Sequence, residues 1–139
     1  MRIIILIAVL IPSIAYASDW IELVKTPEAQ IMLDKGNIET FDGGAKAWLK
    51  FLYHKKQPGQ TITLGKPFDS SINQYYLVCS TKKFQVLQLI LFYKNDTAGS
   101  FHASLDLNNL LDAKPGTGVM YLLDKICTSG NPHAATQKN

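Results

Sequence analysis

Ala45-Lys46-Ala47-Trp48-Leu49-Lys50-Phe51-Leu52-Tyr53-His54-Lys55-Lys56 alternates in character from residue to residue. A strand sends successive side chains to opposite faces, so Ala45, Ala47, Leu49, Phe51 and Tyr53 share one face. Lys46, Trp48, Lys50, Leu52, His54 and Lys56 share the other. The first set is apolar and requires a cover, whereas the second mixes cations with apolar groups and can meet water. A strand with one face in and one face out belongs to an antiparallel sheet. Asp42-Gly43-Gly44, immediately before it, has the composition of a hairpin turn.

Toward the N-terminus, Ile38–Phe41 reads as a short strand feeding that turn, and Asp34-Lys35-Gly36-Asn37 as another turn. Trp20–Val24 and Ala29–Leu33 read as two strands around Thr26-Pro27. Toward the C-terminus, residues 57–71 hold Pro58, Gly59, Gly65 and Pro67 and read as a loop, with a brief pairing at Thr61–Leu64. Ile72–Thr81 and Phe84–Tyr93, joined at Lys82-Lys83, are the expected middle of the sheet, and Ser100–Ala103 pairs again after a turn at Asn95–Gly99. The period then changes. Val119, Leu122, Leu123 and Ile126 stand at helical spacing behind Thr117, the expected N-cap. The expected class is α+β: an antiparallel sheet of about six strands with a C-terminal helix packed on one face.

Phe84–Tyr93 is mostly apolar on both of its alternating faces, with Phe84, Val86, Gln88, Ile90 and Phe92 on one and Gln85, Leu87, Leu89, Leu91 and Tyr93 on the other. One helix of this length covers part of one face. A second copy of the chain is the expected cover for the other, giving a homodimer, with a curled single-chain sheet as the alternative.

Arg2, the apolar run Ile3–Ile11, Pro12-Ser13 and Ala15-Tyr16-Ala17 have the layout of a secretory signal peptide over residues 1–17. No cysteine lies near the cleavage point to carry a lipid, and no later run has the length of a membrane span. The expected product is exported, to the periplasm, the cell surface or the medium. It comprises a domain over residues 18–127 and a polar, disordered tail over 128–139. Without Arg2 it holds thirteen lysines against eleven carboxylate side chains and no arginine. Base readout relies on bidentate guanidinium forks, so no nucleic-acid partner is expected.

Cys79 and Cys127 are the only two cysteines, 48 positions apart in a chain bound for an oxidising compartment. They admit one intramolecular disulfide, worth about 4 kcal/mol by chain entropy. Neither stands in a Cys-x-x-Cys pair or at ligand spacing from a histidine. Such a bridge ties the helix across the face of the sheet that carries Tyr75 and Leu77.

His54, His102 and His133 are the three histidines, with no His-Glu-x-x-His spacing, and Gly-x-Ser-x-Gly, Gly-x-Gly-x-x-Gly and P-loop patterns are absent. Asp106 and Asp112 read as turn or cap residues rather than an acid–base pair. No enzyme activity, metal or cofactor is expected. The candidate binding residues are Lys46, Trp48, Lys50, His54 and Lys56, a cationic strip interleaved with an aromatic. That composition suits a sulfated glycan or an acidic protein segment. The competing reading is a solvated lysine face that guards the sheet against edge pairing.

A Trp just after the signal peptide, a strand with a central Trp followed by Lys (Trp48, Lys50), a Tyr-rich strand ending in Cys79 and a C-terminal Pro-Gly-Thr helix ending in Ile126-Cys127 together resemble the surface-adhesin protein E family over roughly Trp20–Cys127. The resemblance implies an antiparallel sheet with a disulfide-tied helix, a tendency to dimerise, and adhesion to host matrix proteins. The expected function is therefore that of an exported, non-enzymatic binding protein engaging a host extracellular matrix protein or polyanion. The alternative is a periplasmic accessory subunit docking on a bacterial envelope partner.

Overall fold

A computed structural model describes residues 18–128. The expected signal peptide lies outside the described residues, as does the expected tail apart from Thr128, which instead ends the helix. The chain forms β1 (Trp20–Lys25), β2 (Ala29–Asp34), β3 (Glu39–Phe41), β4 (Gly44–Gln57), β5 (Phe68–Val78), β6 (Lys83–Tyr93), β7 (Asp96–His102), β8 (Leu111–Asp112) and helix α1 (Gly118–Thr128). The strands make one eight-stranded sheet in the order β1-β2-β4-β5-β6-β7, with β3 paired to β4 and β8 to β6, and every pairing is antiparallel. The class is α+β.

The alternation of β4 is realised residue by residue. Ala45, Ala47 and Leu49 are fully buried, while Lys46, Trp48 and Lys50 between them are half-buried. Leu49 pairs with Leu33 on β2 and Asn73 on β5, and Ala45 with Leu77, so one face of three strands becomes a continuous apolar floor. Val119, Leu122, Leu123 and Ile126 of α1 close over it, joining Ala29, Ile31, Leu33 and Tyr75 in one core. The small side chains of Ala45 and Ala47 lie in this floor. At the helix start a Cβ on Gly118 would meet the Phe51 ring at 2.9 Å, so glycine is what lets α1 begin this close to the sheet. Thr117 caps α1 as expected, its Oγ1 accepting from the Met120 N–H at 3.4 Å. Cys79 and Cys127 form a disulfide with Cα atoms 5.6 Å apart.

Four readings of the sequence are corrected. β5 starts at Phe68 rather than Ile72, because Ser70 and Ser71 pair with Leu52 and Phe51 on one side and with Phe92 and Leu91 on the other. Thr61–Thr63 is a 3-10 turn, not a pairing; Thr63 Oγ1 accepts from the Gln60 N–H, and Leu64 leaves the turn with φ +52. The turn after β6 is two residues, Lys94 and Asn95, both with positive φ, so β7 begins at Asp96. Lastly, β6 does not alternate throughout. Gln74 pairs with Gln88 but Tyr75 with Val86, leaving Leu87 as a bulge. A bulge reverses the facing of everything beyond it. Phe84, Val86, Leu89 and Leu91 thereby share the helix-side face, and Gln85, Gln88, Ile90 and Phe92 share the other. The two mostly apolar faces read from strict alternation are thus regrouped, one wholly apolar beneath the helix and one that carries both glutamines.

Candidate functional site

The face of the sheet opposite α1 is built in rows by the strand register. Met32, Lys50, Ile72 and Ile90 form the central row. On one side lie Leu52, Ser70 and Phe92; on the other lie Trp48, Gln74, Gln88 and His102. Beyond these come Glu39, Lys46, Tyr76 and Gln85. Trp48, Leu52, Ile72, Ile90 and Phe92 are all half-buried here.

Two lysines on this face lie over aromatic rings, Lys50 Nζ 5.5 Å from the centroid of Trp20 and Lys46 Nζ 5.9 Å from that of Phe41. The Phe41 ring also stacks on Tyr76 at 5.7 Å. A ring face attracts a cation without neutralising it. Lys25, Lys35, Lys82 and Lys83, by contrast, stand 3.3–3.8 Å from Glu22, Asp19, Asp124 and Asp112. Among the described residues no such ion pair is formed by Lys46 or Lys50. Beside Lys50 the face dips into a recess of about 180 Å³ lined by Ser70, Ile72, Phe92 and Asn95. Asn95 is held there by the two-residue turn, which Asp69 pins by accepting from the Lys94 N–H at 3.1 Å.

The register thus brings Lys46, Trp48 and Lys50 together on one surface. His54 and Lys56 do not extend it, because beyond Leu52 the pairing of β4 with β5 is broken until Gln57. His54 Nε2 instead lies 3.2 Å from the Thr26 carbonyl oxygen, at the β1–β2 turn. The sequence reading missed Ser70, Gln74, Gln88, Phe92 and Asn95. Gln74 and Gln88 are even-spaced polar residues inside apolar strands, a pattern that marks a wet sheet face once the bulge is known.

Elsewhere, the candidate carboxylates have structural work. Asp106 accepts from Asn108 N–H at 3.0 Å and from the Asn109 amide at 2.5 Å, and Asp112 faces Lys83. Among the described residues no group of three or more His, Cys, Asp or Glu side chains is placed to hold a metal ion, and no helix is long and apolar enough to cross a membrane. A second recess, of about 370 Å³, lies between β6, β8 and the start of α1, lined by Phe84, Leu111 and Val119 with Asp112, Lys114 and Thr117.

In a comparison with known families, the model of a family described as surface-adhesin protein E matches residues 20–128. No curated protein and no solved structure matches the chain.

Proposed function

This chain belongs to the surface-adhesin protein E family, and on that premise we propose that it is an exported, non-enzymatic binding protein that engages host extracellular matrix material through the open face of its sheet. The observation that carries the reading is the pair Lys46 and Lys50, half-buried beside Trp48 on a sheet face that the helix does not cover and forming no ion pair among the described residues. Cations of this kind attract an anionic surface at long range, and the aromatics supply contact area once it arrives.

The test is binding of the oxidised protein to immobilised vitronectin, laminin and heparin at low and high salt. Saturable binding to a matrix protein that survives high salt supports the reading; binding to heparin alone that vanishes with salt reduces it to generic lysine attraction. Lys46→Glu/Lys50→Glu is expected to weaken binding at least about tenfold, equivalent to 1.4 kcal/mol or more. Unchanged affinity removes this face from consideration. The expected homodimer would occupy the same surface, so sedimentation with and without ligand separates the two occupants.

A second reading has its own observation. Leu105, Leu107 and Leu111, in and just after the segment between β7 and β8, are 41–60% exposed, and Leu111 lines the apolar recess at Phe84. That patch suits an apolar segment of an envelope partner, as in the periplasmic accessory role. Recovery of a single stoichiometric envelope protein from the producing cell, lost on Leu107→Asp, favours it.

A further inference from the structure

The open face can be assigned a ligand class, an inference that rests on the binding role proposed above. Three features narrow the chemistry. First, the recess at Lys50 combines one cation, one hydroxyl at Ser70, one side-chain amide at Asn95 and an apolar floor of Ile72 and Phe92. A ring with an apolar flat side, a rim of hydroxyls and one carboxylate matches each wall in turn: the carboxylate to Lys50, hydroxyls to Ser70 and Asn95, and the ring face to Phe92. Second, the neighbouring row offers Trp48 as a stacking platform with the amides of Gln74 and Gln88 directly beside it in register. Alternate residues of one strand are about 7 Å apart, so the two rows can serve successive units of one chain. Third, the backbone N–H and C=O groups of β4, β5 and β6 are used in the ladder along this face. An extended peptide draws its affinity from main-chain hydrogen bonds at a sheet edge, which a face cannot supply. A saccharide needs only side-chain amides, hydroxyls and rings.

We propose that this face binds an acidic polysaccharide, with a uronic-acid residue seated in the recess formed by Lys50, Ser70, Ile72, Phe92 and Asn95. The charge is carried by Lys50, the orientation by Ser70 and Asn95, and the next sugar lies on Trp48. Lys46, in the following row, meets the carboxylate of a further unit.

The experiment is titration calorimetry of the oxidised protein at about 0.15 M salt with hyaluronan oligosaccharides, with the same oligosaccharides after reduction of their carboxylates, and with polyglutamate of equal charge. Saturable binding of the first, weakened at least about tenfold for the other two, is the expected result. Lys50→Gln and Ser70→Ala are expected to lower affinity for hyaluronan by similar factors. So is Asn95→Gly, whose φ of +68° glycine accepts, so that the turn is kept. Equal binding of the carboxyl-reduced chain, equal binding of polyglutamate, or no binding of hyaluronan overturns the assignment. If matrix-protein binding sensitive to Lys46→Glu/Lys50→Glu persists while hyaluronan fails, only the glycan assignment falls. If that sensitivity is also missing, the face itself is the wrong surface.

Discussion

Tyr75 shows how one residue couples the core to solution conditions. It sits between β4 and β6 on the helix-side face, 6% exposed, in a T-shaped contact with Phe84 and with its hydroxyl accepting from the Asn73 amide at 2.9 Å. Burial pushes that hydroxyl up to about 12, against a smaller lowering by the Asn73 hydrogen bond and a smaller raising by Tyr53. The folded form resists tyrosinate, so its advantage is complete below about pH 10 and is lost as the pH rises toward 12. The loss amounts to about 2–3 kcal/mol. Tyr75→Phe is expected to flatten the alkaline limb of denaturant-derived stability between those values, relative to the parent protein. Gly44 makes a separate point. A Cβ there would lie 2.2 Å from the Leu77 carbonyl oxygen in the paired strand, a backbone clash that no rotamer relieves. Gly44→Ala should cost about 1–3 kcal/mol, read as a lowered thermal midpoint. Both residues were visible as types in the sequence. Their roles were not, because a tyrosine in an apolar strand and a glycine after a turn look alike whether or not a neighbour presses on them.

At the scale of elements, the parts that carried their own period were legible: β4 by its alternation, α1 by its helical stripe and cap, β1 and β2 by the turn between them. The parts whose pairing is set by partners were not. Asp69, Ser70 and Ser71 read as loop because they are small and polar, yet Ser71 is 1% exposed between Phe51 and Leu91. The bulge at Leu87 left no trace, since a run such as Leu87–Leu91 gives alternation almost no polar residues to mark it. For the candidate site this mattered most, as the bulge decides that Gln88, Ile90 and Phe92 share a face with Lys50. β8 escaped notice because two residues have no period at all. The helix also depends on a partner. Opening Cys79–Cys127, whose loop spans 48 positions, should cost about 4 kcal/mol. In Cys79→Ser/Cys127→Ser, hydrogen exchange is expected to show α1 amides opening well before those of β4 and β5; uniform loss across both would mean that helix and sheet are one cooperative unit.

For the whole molecule, the two faces of the sheet differ: one is closed by α1 to hold the fold, and the other carries Lys46 and Lys50, which form no ion pair among the described residues. Charge reversal at Lys46 and Lys50 should therefore leave the thermal midpoint within a few degrees of the parent, since half-exposed lysines over rings contribute little to stability. A large drop would show that the open face is structural after all. The disulfide has a mechanical consequence as well. The disulfide joins the residue after β5 to the next-to-last residue of α1, so β6, β7, β8 and most of the helix lie on a closed covalent loop. A pull applied between the ends of the domain runs through Cys79 straight into Cys127 and bypasses everything between. Some 160 Å of contour is thus held in reserve, to be released only when the bridge is reduced. Force spectroscopy should record an unfolding step shorter by that length in the oxidised protein. Were the proposed adhesive role to put the domain under tension, such a short circuit would be a fuse set by redox state rather than by load.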